Sequence, residues 1–189
     1  VGVIPEKRFE KLWSEDGCLM ILLGSSDILS ALKSDENKTK SNRLCFESEK
    51  LSLQKQTKET IDSLEKAIEL NPNNSTALCL LGGILNDQNN PECVSYYEKS
   101  LEKNENCYLA YRGLGNFYLK NQEFDKSEKN YTRAIEINDS RFGPIYKNRG
   151  YVRQQQNKID GAKQDYQNYI KFTPNAKDRG MIERALNEM

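Results

Sequence analysis

Little in this sequence can do covalent chemistry, and what remains is suited to holding rather than converting. None of the 189 residues is histidine, which removes the commonest general base and a leading metal ligand together. The five cysteines, Cys18, Cys45, Cys79, Cys93 and Cys107, include no CxxC pair and are odd in number. Free thiols in a reducing compartment are therefore a simpler reading than a disulfide framework. The Gly113–Gly115 stretch reads GLG, but it follows no strand pattern and lies inside a helical one, so a phosphate loop is set aside. No nucleophile–base pair is evident. The expectation is a chain that is not an enzyme and carries no cofactor and no metal. Two sets of donors do stand out. Arg112, Asn116 and Leu119, and then Lys147, Tyr151 and Gln154, are spaced i, i+4, i+7, which puts each set on one face of a helix. Arginine grips carboxylates with a two-pronged fork, so cationic and amide donors on one face suit an acidic or C-terminal peptide. The competing reading is an ordinary solvated helix face.

The elements that must position these donors are repeated. Leu64, Tyr97, Tyr131 and Tyr166 follow one another at intervals of 33, 34 and 35 residues, inside the related segments SLEKAIELNP, YYEKSLEKNE, NYTRAIEIND and DYQNYIKFTP. A fixed period near 34 means stacked helical hairpins, which are built to hold something else. Helix breaks have local causes. Asn89-Asn90-Pro91 separates two helices, Pro72 and Pro174 end others, and Pro144 sits in a first helical turn, where no backbone donor is needed. The first hairpin, from about residue 43, reads as half-degenerate, with no small residue where the others have glycine. Residues 1–33 read as an irregular helical segment and 34–42 as a polar linker. The repeat domain runs over 43–189, and its last stretch, about 176–189, places Ile182, Ala185, Leu186 and Met189 on one stripe, as a capping helix needs.

Leu81 and Gly82; Tyr111, Leu114, Gly115, Tyr118, Ser127, Tyr131 and Ala134; and Gly150, Ala162, Tyr166 and Pro174 together resemble the tetratricopeptide repeat pattern, over about residues 58–176. Arg149, Arg153 and Tyr169 depart from it, which implies looser packing in the last hairpin. The resemblance implies an all-α, right-handed superhelical solenoid of helix hairpins with a C-terminal capping helix. It further implies a concave groove lined by the first helix of each hairpin. On this chain the groove positions are Cys79, Gly83, Asn86 and Asp87; Arg112, Asn116, Leu119 and Lys120; and Lys147, Tyr151, Gln154 and Gln155. Some family members hold an acidic tail with a carboxylate clamp. Arg112, Asn116 and Asn148 resemble part of one, with Lys177 and Arg179 near the remaining positions but not at them. The implied function is a protein–protein interaction module that binds a peptide or protein segment.

Composition bounds the partners. With 28 basic and 28 acidic residues the formal net charge is zero, whereas nucleic acids and anionic membranes call for a basic surplus. The longest apolar run, Cys18–Leu23, is far short of the ~20 residues that span a bilayer. Nothing near the start reads as a signal peptide, so a cytoplasmic location is expected. The first residue is Val1 rather than methionine, so the natural N-terminus can lie further upstream. Two other functions fit the same pattern: a structural subunit of a larger assembly, or a helical appendage of an enzyme whose catalytic domain lies elsewhere.

Overall fold

The computed structural model describes residues 36–138 and 143–189. The expected helices of 1–33 lie outside the described residues. Those described form nine α-helices and no strand: α1 Glu36–Leu53, α2 Thr57–Leu70, α3 Ser75–Asp87, α4 Cys93–Lys103, α5 Tyr108–Lys120, α6 Phe124–Asn138, α7 Gly143–Gln155, α8 Ile159–Phe172 and α9 Arg179–Glu188. They fall into two compact units, one ending at Cys107 and the other beginning at Tyr108. In unit 1, hairpin α1–α2 stacks on hairpin α3–α4. In unit 2, hairpin α5–α6 stacks on α7–α8, and α9 packs on α8.

All four hairpins turn in the same way. Lys55, Asn89, Gln122 and Asn157 each adopt a positive φ near 60° two residues past the end of a first helix. The following amide closes back on that helix, as in Glu123 N–H to Tyr118 O at 2.9 Å and Lys158 N–H to Arg153 O at 2.8 Å. This left-handed cap satisfies carbonyls that a helix end would otherwise orphan.

The reason for the repeated glycine and aromatic is steric. A Cβ on Gly115 would lie 2.7 Å from the Tyr131 ring, and one on Gly82 or Gly150 would lie 3.0 Å from Tyr97 or Tyr166. Only a bare backbone lets the first helix close onto the ring carried by the second. The first hairpin follows the same plan with smaller parts. Ser48, buried, stands as far before Leu64 as Gly115 stands before Tyr131, and Leu64 is fully buried. The expectation that this hairpin lacks a small residue is thus corrected.

The stretch 34–42, expected as a linker, is helical from Glu36 onward. Its polarity misleads because its polar groups find buried partners. Ser41 donates to the Ala67 carbonyl at 2.6 Å, and Asn74 Nδ2 donates to Ser41 Oγ at 2.8 Å and to Asn42 Oδ1 at 3.1 Å. Asn74 also accepts from the Ala77 amide and so caps α3. The same residue therefore starts the second hairpin and locks the first.

In unit 2 the expected looser packing at Arg149 and Arg153 is replaced by an ion network. Asp165, fully buried, accepts from Arg149 Nε at 2.9 Å and Nη2 at 2.7 Å, and from Arg153 Nη1 at 2.9 Å. Arg153 Nε and Lys158 Nζ then bind Glu128 at 2.8 and 2.6 Å. Burial pushes the Glu128 carboxyl up, but the hydrogen bonds and charges of Lys158 and Arg153 outweigh it, and the net displacement is downward. The terminal helix α9 seals the unit as expected: Ile182 is buried against Ala162, Tyr166 and Tyr169, with Leu186 and Met189 beside it.

Candidate peptide-binding face

The two donor sets that stand out in the sequence lie on α5 and α7, both in unit 2 and in mutual contact. Their meeting point is a polar junction. Tyr131 is fully buried, and inside the helix pair its hydroxyl donates to Asn116 Oδ1 at 2.7 Å. Asn148 Nδ2 donates to the same Asn116 oxygen and to the Tyr131 oxygen, each at 3.3 Å. Two amides from adjacent first helices are thus pinned by a side chain from a second helix. Burial pushes the Tyr131 hydroxyl upward; bonds with Asn148 and Ser127 and the charge of Arg112 pull the other way without reversing it. At neutral pH the hydroxyl remains a donor.

Around this junction the remaining residues divide. Arg112 is half-buried, close enough for its charge to act on Tyr131. Lys120 and Gln155 are exposed, and the Tyr151 ring is 46% exposed, a large aromatic open to solvent. Gln154 is tied down: its Oε1 accepts from the Tyr166 hydroxyl at 2.9 Å. Leu119 is partly buried and packs against the cluster of Tyr131, Ala134, Ile145 and Val152. One turn beyond Asn116, its position rotates into the seam between helices.

One neighbour of these residues, Asp178, was not visible in the sequence. Lys147 Nζ pairs with Asp178 Oδ2 at 2.9 Å and lies 5.3 Å from the centre of the Tyr169 ring. Asp178 also accepts from the Tyr169 hydroxyl, and these bonds hold its carboxyl below the usual range. Where a clamp would need a further cation, the approach to α9 therefore presents a carboxylate. Arg179 is bound to Glu183 at 2.8 Å, and Lys177 is exposed. Only long-range partnering reveals Asp178, since 31 residues separate it from Lys147. Tyr131 did carry a signal: a buried tyrosine, unlike phenylalanine, must place its hydroxyl. In unit 1, Cys79 and Asn86 are buried at 5% and 4% exposure, so these two expected groove positions offer no open side chain.

The tetratricopeptide repeat family model matches residues 110–141, which span α5, α6 and the glycine–tyrosine packing between them. The chain carries a tetratricopeptide repeat. Solved structures extend the likeness in fold beyond that segment. PilF from Pseudomonas aeruginosa superposes with a TM-score of 0.72 at 16% identity, covering 81% of this chain and 70% of its own. MamA from Desulfovibrio magneticus RS-1 gives 0.64 at 14% identity, covering 79% and 86%. YrrB, described as a TPR protein with an unusual peptide-binding site, gives 0.59 at 18%, covering 84% and 79%. No curated protein matches the sequence. At these identities the likeness is one of fold: an all-α solenoid of tetratricopeptide hairpins. Among the described residues no helix is long and apolar enough to cross a membrane, and no group of acidic residues and cysteines is arranged to hold a metal ion.

Proposed function

We propose that this tetratricopeptide chain is a non-enzymatic interaction module whose unit 2 binds a peptide or protein segment on the open face of α5 and α7. The observation that carries the reading is the pinned pair Asn116–Asn148, held by the Tyr131 hydroxyl. Donors fixed before binding lose little entropy when a ligand arrives. Arg112 and Lys147 flank the pair, and exposed Tyr151 offers a flat apolar contact, so the ligand class is an acidic segment or a free C-terminal carboxylate. A cytoplasmic setting belongs to this reading and is favoured by the buried thiols of Cys45 and Cys79.

The test is a titration of a fluorescent acidic peptide with a free C-terminus against the chain and against Arg112→Glu/Lys147→Glu. Binding should be salt-sensitive, and the double reversal should weaken it at least about tenfold, an effect in the range of lost charge complementarity. Equal affinity for both proteins, or no affinity for any acidic peptide, would end the proposal.

A further inference from the structure

Unit 1 contains a cleft of about 410 Å³ between α1 and α3, bordered by Glu49, Leu53, Leu80, Gly83, Ile84 and Asp87 among others. Three of its features are unexplained by folding. The first is Leu53, which ends α1 with 87% of its surface exposed. The second is Gly83. Its neighbour Gly82 is required by Tyr97, but a Cβ on Gly83 would meet nothing nearer than the Tyr97 hydroxyl at 3.9 Å, an ordinary contact. A glycine inside a helix weakens it, and this one secures no packing in return. What it leaves is bare backbone beside the cleft, where a ligand can approach closely.

The third feature is charge. Glu49 and Asp87 border the cleft, and among the described residues no lysine or arginine does. Glu49 is half-buried, and burial alone raises its carboxyl above the ordinary range. Asp87 is exposed in the last turn of α3, the end at which the helix dipole disfavours an acid. Both carboxylates would be eased by a cation from outside.

We infer that this cleft docks a cationic amphipathic segment of a partner protein, with one large apolar side chain laid over Gly83 between Leu53, Leu80 and Ile84 and a lysine or arginine reaching Glu49 and Asp87. The volume suits a side chain or two rather than a domain face. The selectivity is opposite in sign to that proposed for unit 2, and the two readings stand or fall separately.

Four short fluorescent peptides of equal length test it: leucine with lysine, leucine with glutamate, serine with lysine, and leucine with serine. The leucine–lysine peptide should bind the full chain best. Glu49→Gln/Asp87→Asn should weaken it about tenfold, the scale of a lost charge-pair contribution, and Arg112→Glu/Lys147→Glu should leave it unchanged. Gly83→Leu is the decisive variant, since it fills the cleft while improving the helix. It should abolish binding with the melting temperature held or raised. Undiminished binding to Gly83→Leu, or equal binding of the leucine–glutamate peptide, would overturn the proposal. Self-association that Leu53→Ser removes would assign the cleft to a second copy and overturn it too. So would a Trp13 emission that shifts red as the probe binds, because the chain's own N-terminal stretch would then be the occupant.

Discussion

At the scale of single residues, the glycines and the buried carboxylate set the largest expected effects. Gly115→Leu places a branched side chain where even a Cβ would lie 2.7 Å from Tyr131. Overpacking of this kind costs about 1–3 kcal/mol, and a thermal melt should show a lower midpoint; an unchanged melt would mean the hairpin is not packed through this contact. Asp165→Asn leaves two arginines facing an uncharged amide inside the stack. Removing one partner of a buried ion pair costs about 3–5 kcal/mol, so urea unfolding should begin at markedly lower concentration, whereas Glu123→Gln, at an exposed pair, should change little. Packing residues were the legible ones. Glycine, tyrosine and alanine announced their contacts because size alone decides them. Arg149, Arg153 and Asp165 did not, because a charge in a core position reads as a defect until its partner, on another helix, is known. Asp178 was invisible for the same reason, and with it the fact that Lys147 already has a carboxylate neighbour. Asp178→Asn should free that lysine and tighten binding of an acidic peptide to unit 2 in the titration described above.

At the scale of elements, the left-handed turns and the helix ends matter most. Gln122 carries a side chain at φ 60°, a conformation that costs most residues about 1–2 kcal/mol and glycine almost nothing. Gln122→Gly should therefore stabilise unit 2 by about 0.5–1 kcal/mol, after allowance for the extra freedom of the unfolded chain; a lower melting temperature would show that the Gln122 side chain makes contacts that matter more. Hairpin boundaries were readable from Pro72, Pro91 and Pro174, whose effect on the backbone is local. The start of α1 was not readable, because Ser41 and Asn42 look like loop residues and become helical through Ala67 and Asn74, far along the chain. The α6–α7–α8 network should also give the protein an acid limb. Glu128 titrates below its ordinary value in the folded state, so its contribution is complete above the unfolded value and disappears as pH falls through the folded one. Urea midpoints measured from pH 7 to pH 3 should fall less steeply for Glu128→Gln than for the native chain.

At the scale of the molecule, tyrosines give the matching alkaline limb. Burial raises Tyr166 to about 12 and, with Asp178 adding to the effect, raises Tyr169 to about 12. Their contribution is complete below the unfolded value of about 10 and is lost as pH climbs from there toward the folded values. Tyrosinate absorbance from these rings should therefore appear together with loss of helical circular dichroism; full ionisation of an intact fold would contradict their burial. The overall plan was open to sequence reading because period and hairpin are local properties, whereas the occupant of each face is not written in the chain that binds it. The four matching reverse turns carry one more consequence. Each closes a helix pair on contacts that are near in sequence, so loop closure demands little entropy and no distant segment has to arrive first. Such a chain can acquire structure pair by pair as it leaves the ribosome, with the first finished pair of each unit serving as the template on which the second pair of that unit is laid.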